Sequence, residues 1–172
     1  MTNDPPEFTR LIPLSRIGAA GLTLLVKASP EECAELARRM DIPAIHALSC
    51  AYTLNAGATD PAAIEATGHL RARVTRECVV SAEDFEMDVA DDFQVRFVPA
   101  VVEPDDDDDP DGDDEIPYEG DVLDLGEATA EQLGLALDPY PRIEGAVAPE
   151  GDPDLSPFAA LARLKEPGGG TR

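Results

Sequence analysis

Apolar and polar side chains alternate strictly from Ile64 to Cys78. Ile64, Ala66, Gly68, Leu70, Ala72, Val74 and Cys78 share one face, and Glu65, Thr67, His69, Arg71, Arg73, Thr75 and Glu77 share the other. A two-residue period of that length predicts a half-buried antiparallel strand, with Arg76 the one charge on its apolar side. The preceding run Ala44–Leu54 alternates as well and sets His46, Leu48, Cys50, Tyr52 and Leu54 on one face. The turn-rich segment Asn55–Pro61 makes these two runs a hairpin. Leu22–Lys27 predicts a short strand. Phe85–Val89 and Phe93–Phe97 predict two more, or one bent strand broken at Asp91-Asp92.

Helical signals are fewer but specific. Ser29-Pro30-Glu31-Glu32 combines an N-cap serine, a proline at the first helical position and a glutamate at the third, and Cys33, Leu36, Ala37 and Met40 follow as one apolar stripe. Asp124-Leu125-Gly126-Glu127 repeats the capping logic ahead of Ala128, Leu133, Ala136 and Leu137, with Pro139 as the stop. Ser156-Pro157 opens a last short helix with Phe158, Leu161, Ala162 and Leu164 on its buried side. A helix of about ten residues is marginal alone in water, so this one has to dock on its own domain or on a partner. Strands in sequence around one early helix, with helices collected at the C-terminus, predict an α+β fold. Its sheet is expected to be antiparallel, of five to six strands, and to curl towards a small barrel.

Charge divides the chain. Thirteen bases face 36 acids over 172 residues, a net charge of −23. Residues 1–98 carry −6 of it and residues 99–172 carry −17, with 13 acids and no base between Glu103 and Asp124. The expected organisation is a β-rich core over 7–98, an acidic disordered linker over 99–117, a helical part packing on the core over 118–165, and a loose tail over 166–172. A chain this anionic is repelled by bare polyanions and attracts cations, basic proteins above all. No run of 18 apolar residues is present to cross a membrane, and the first residues resemble no export signal, so a cytoplasmic location is expected.

Candidate chemistry is sparse. Asp107-x-Asp109-x-Asp111-Gly112 matches the first half of an EF-hand loop, but Tyr118 stands where the bidentate glutamate belongs and Pro110 lies inside the loop. It reads as an acidic linker. Cys33, Cys50 and Cys78 lie on apolar faces and are expected to be buried thiols. No C-x-x-C, G-x-S-x-G or phosphate loop occurs, so no cofactor, metal or catalytic group is assigned. A metal-dependent hydrolase built on the Asp cluster is the enzymatic alternative. Arg71 and Arg73, with His69 beside them, form the one basic concentration on a strand face. They suggest either direct RNA contact or cross-strand pairing with acids such as Glu86 and Asp88.

The order of these features resembles the YceD family, the large ribosomal RNA subunit accumulation proteins, in the form found in alphaproteobacteria. Leu70–Val80 leads to Phe93–Phe97; after the acidic gap come Asp124–Glu127, Glu131–Pro141 and Ser156–Lys165. The likeness runs from about Glu7 to Lys165. It implies a non-enzymatic, cytoplasmic role in making or stabilising the large-subunit (23S) ribosomal RNA. Many members carry C-x-x-C where this chain has Thr75-Arg76-Glu77-Cys78, so no metal or redox role of that pair transfers. Joined to the charge argument, the resemblance points to a basic ribosomal protein or large-subunit assembly factor as partner. The expected contacts are Asp105, Asp106, Asp107, Asp108 and Asp109, which raise encounter rates, and Phe158 and Leu161, which add specificity.

Overall fold

A computed structural model of the chain describes residues 6–58, 60, 62–100 and 114–147. In chain order the elements are β1 (Leu11–Pro13), β2 (Leu22–Lys27), α1 (Pro30–Arg39), β3 (Ala44–Ala56), β4 (Ile64–Glu77), β5 (Asp84–Pro99), β6 (Glu115–Tyr118), β7 (Val122–Asp124) and α2 (Leu125–Ala136). Five strands form one sheet in the order β2-β3-β4-β5-β6, and β1 pairs with β7 in a separate ribbon. The class is α+β. The final helix expected from Ser156 lies outside the described residues.

Both helix starts follow from their caps. Ser29 Oγ accepts from Glu32 N at 3.3 Å, and Glu32 Oε2 accepts from Ser29 N at 2.7 Å, which closes a capping box. At α2, Asp124 Oδ1 accepts from the N–H groups of Gly126 and Glu127 at 3.0 and 3.3 Å. The same oxygen accepts from Arg10 N at 2.8 Å, so the cap also holds the N-terminal segment. That segment is clamped further by Arg10, whose guanidinium makes a two-point pair with Glu32 at 2.7 Å and lies 4.7 Å over the Phe8 ring. Phe8 is wholly buried as a result.

The core lies between one face of the sheet and the two helices. Leu36 of α1, Leu125 and Leu133 of α2, and Tyr52, Leu54, Leu70, Val74 and Phe97 of the sheet are among its most buried members. Tyr52, Gly68 and Phe93 oppose one another across three strands. The Phe93 ring covers the bare backbone of Gly68 so closely that a Cβ there would collide with it, and it meets Tyr52 edge-on at 5.8 Å. Tyr52 in turn reaches α2, its hydroxyl 3.1 Å from Thr129 Oγ1.

The structure corrects the sequence expectations at five places. The sheet is mixed, because β6 pairs in parallel with β5. It does not close into a barrel: β2 and β6 remain its edges. β5 runs unbroken through Asp91 and Asp92, which keep their register opposite Leu70 and His69. His46 does not join the inner face, because the register of β3 shifts between Ile45 and Ala47 and a bulge turns Ile45 inward in its place. In addition, Glu115, Ile116 and Pro117, read in sequence as the end of the acidic linker, form most of β6.

Arg96 N donates to Asp114 O and Ala100 N to Tyr118 O, so the even-numbered residues of β6 carry the ladder to β5. Pro117 therefore turns its missing N–H away from the sheet, where an edge strand tolerates proline and is blunted by it.

Candidate functional site

A groove of about 510 Å³ opens where β6, β7, the β1 strand and α2 meet. Phe97 lies at its inner side, and Leu11 and Val122, 57 % and 37 % exposed, offer apolar surface along it. Five carboxylates line it, from Glu115, Glu119, Asp124, Glu127 and Glu131, and no Lys, Arg or His does. Three of the five are already engaged. Glu115 pairs with Arg96 at 2.9 Å, Glu127 takes a two-point contact from Arg39 at 2.6 and 2.9 Å, and Asp124 caps α2. Glu119 and Glu131 make no ion pair among the described residues. Burial, then the neighbouring Glu127 charge, pushes the Glu131 carboxyl above its ordinary value, partly offset by Arg39. The groove thus holds negative charge that its own walls leave uncompensated.

The sequence that joins β5 to β6 carries more acidic residues. Residues 100–114 leave the sheet at the end of β5 and return to it at the start of β6, the strand that lines the groove. Asp105, Asp106, Asp107, Asp108 and Asp109 belong to that connection and lie outside the described residues, as do Phe158 and Leu161. The Asp run behind the metal-hydrolase alternative lies there too. Among the described residues no three His, Cys, Asp or Glu side chains converge as metal ligands would.

Arg71 and Arg73 fall on the face of the sheet opposite the helices. Arg73 contacts Glu86 Oε2 with two nitrogens, at 3.0 and 2.7 Å, and lies 3.6 Å from Asp88. Arg71 lies 3.3 Å from Asp92, which also faces His69 Nδ1 at 3.0 Å. Hydrogen bonds from Arg73 hold the Glu86 carboxyl below its usual value; His69 and then Arg71 do the same for Asp92. These cations are spoken for by carboxylates on the adjacent strand, and a phosphate would have to displace them. His46, on the same face, bonds Thr75 Oγ1 at 2.8 Å.

The three cysteines are free and buried. Burial raises the Cys33 thiol, and the Cys50 thiol to about 11. Cys78 goes the other way, to about 7, through hydrogen bonds from Ser81 and from the Ile143 N–H. Sequence reasoning missed the groove because Leu11, Glu119, Val122 and Glu131 come from four short segments that no periodicity links.

Fold and groove together define an acidic α+β protein with one helix-covered sheet and an anionic cleft at the sheet's far edge. Residues 66–165 match the family model described as large ribosomal RNA subunit accumulation protein YceD. The match covers more than half of the chain, which belongs to this family; it takes in β4, β5, β6, β7 and α2, and so most of the groove. The family's description ties it to accumulation of large-subunit ribosomal RNA. No curated protein and no solved structure matches the chain.

Proposed function

We propose that this chain is a non-enzymatic, cytoplasmic factor that supports synthesis, processing or stability of large-subunit ribosomal RNA by binding a basic ribosomal protein or assembly factor. The observation that carries the reading is the groove lined by five carboxylates and no cation, in which Glu119 and Glu131 make no ion pair among the described residues. In sequence, its β6 wall follows the connection that bears Asp105–Asp109. A Lys- or Arg-rich segment would find its counter-charge at Glu119 and Glu131 and apolar contact at Leu11 and Val122. The Asp run acts earlier, by steering encounter; Phe158 and Leu161 add contact surface. Such binding would shield a basic protein until RNA receives it. Direct RNA contact through Arg71 and Arg73 is the competing outcome.

The test presents the purified chain to individual basic large-subunit proteins and to naked 23S ribosomal RNA, at several salt concentrations. The reading expects one or more of the proteins to bind with an affinity that falls steeply with salt, and the RNA to bind weakly. Replacing Asp105–Asp109 with asparagine should slow association and flatten its salt dependence. Glu119→Gln with Glu131→Gln should chiefly speed dissociation. Tight retention of naked RNA in physiological buffer, or no binding of any such protein, overturns the proposal.

A further inference from the structure

The two edges of the sheet are built differently. β6 is four residues long and blunted by Pro117, whereas β2 has six residues, no proline and no described element paired along its outer side. Ala28 N donates to Leu48 O, which fixes the alternation: residues 22, 24 and 26 turn their backbone groups to β3, and Thr23, Leu25 and Lys27 turn theirs outward. Arg10 Nη2, which donates to Lys27 O at 2.8 Å, is the one described group that meets this edge. Leu25 stands on the helix-free face, 56 % exposed. An edge covered only at its Lys27 end among the described residues, with an exposed aliphatic side chain at its centre, is a template for strand addition.

We propose that β2 pairs antiparallel with β2 of a second copy of this chain, across a two-fold axis at Leu25. That register is self-complementary. Leu25 opposes Leu25 of the second copy and exchanges both its outward N–H and C=O groups with it. Thr23 opposes Lys27, whose carbonyl accepts the Thr23 N–H alongside the Arg10 guanidinium. The two Leu25 side chains cover each other on the open face.

Charge selects this occupant. Two bodies of −23 repel, yet Phe8–Pro30 contains Arg10, Arg16 and Lys27 and not one acid. With a screening length of about 8 Å at physiological salt, two copies that meet along this acid-free segment, whose Arg10 is paired with Glu32, approach at lower cost than through the carboxylate-lined groove. A basic peptide is disfavoured there for the same reason. Strand pairing alone buries less than the roughly 1,000 Å² of a stable interface, so the dimer is weak. Pairing yields a continuous ten-stranded sheet with an anionic groove at each far edge. At about 4.8 Å per strand the grooves stand roughly 40 Å apart, which makes the assembly bivalent.

Sedimentation equilibrium of the full chain, from micromolar to sub-millimolar concentration, should show the mass rising from 18.3 kDa towards twice that value. Added salt should favour the dimer. Leu25→Lys should abolish it. So should Leu25→Pro, which removes only an outward N–H and leaves the ladder to β3 intact; circular dichroism checks that both variants fold. Leu25→Cys should form a disulfide-linked dimer under mild oxidation, since opposed residues of a hydrogen-bonded pair stand about 5.5 Å apart at Cα. Thr23→Cys should not, its two copies being about 14 Å apart in this register. A mass of 18.3 kDa throughout, a dimer that survives both Leu25 variants, or equal cross-linking at the two positions overturns the proposal.

Discussion

Helix α2 contains two glycines that should respond to alanine in opposite directions. Alanine is favoured over glycine inside a helix by about 1 kcal/mol, and on propensity alone both changes should stabilise. At Gly134 a Cβ would meet nothing within 4 Å, so the gain is available. At Gly126 the Cβ would collide with the Phe8 carbonyl oxygen and lie 2.8 Å from Arg10 N. Both obstacles are backbone, and neither can swing aside as a side chain would. The N-terminal segment is also pinned by the Asp124 bond to Arg10 N and by the burial of Phe8, so relief requires moving Phe8 out of the core or α2 off the sheet. Overpacking of this kind costs about 1–3 kcal/mol, which exceeds the propensity gain. At about 2–4 °C per kcal/mol for a domain of this size, Gly126→Ala should lower Tm by several degrees and Gly134→Ala should raise it by up to about 4 °C. Thermal unfolding followed by circular dichroism reads both. A Gly126→Ala protein as stable as the unmodified chain would show that the close approach of α2 to Phe8–Arg10 is not how the fold is held.

Two further tests address the clamps around the core. Arg10 hydrogen-bonding holds the Glu32 carboxyl below its ordinary value. A depressed folded-state pKa contributes stability that is complete above the unfolded value of about 4.3 and is lost as pH falls through the folded one. Arg10→Ala should therefore cost about 1–2 kcal/mol at pH 7, and urea unfolding near pH 3 should find the gap narrowed; an unchanged gap would remove the ion pair from the explanation. Thr129 Oγ1 donates to Leu125 O at 2.6 Å, which leaves the Tyr52 hydroxyl as donor to Thr129. Tyr52→Phe should cost about 1 kcal/mol, and after Thr129→Val the same change should cost clearly less, as a double-mutant cycle in denaturant would show.

What the sequence made legible was structure written in long periods or strong caps. β2 matched its expected span, β4 ended one residue early, and the Ser29 and Asp124 caps placed both helix starts. The misses share a cause: each depends on a partner distant in sequence. The His46 bulge is invisible to alternation, which assigned the face by counting in twos. Asp91 and Asp92 looked like a break because charge was weighed without the fourteen-pair ladder to β4 that holds them in line. β1, β6 and β7 are three or four residues long, too short for a period, and the start of β6 was read as the end of the acidic linker because of its charge. The groove was hidden for the same reason, whereas the surplus of negative charge that makes it interesting was plain from composition.

The parallel pairing of β5 and β6 has a consequence for how this surface can change. The ladder from Arg96–Glu115 to Pro99–Tyr118 advances three residue steps, about 10 Å, while the fifteen joining residues have a contour of roughly 50 Å. Doubling the length of such a connection would cost only about 0.6 kcal/mol in closure entropy. Mutation can therefore lengthen, shorten or recharge it without disturbing the strands it joins. Selection is free to tune the length and charge of this connection while the walls of the groove keep their shape.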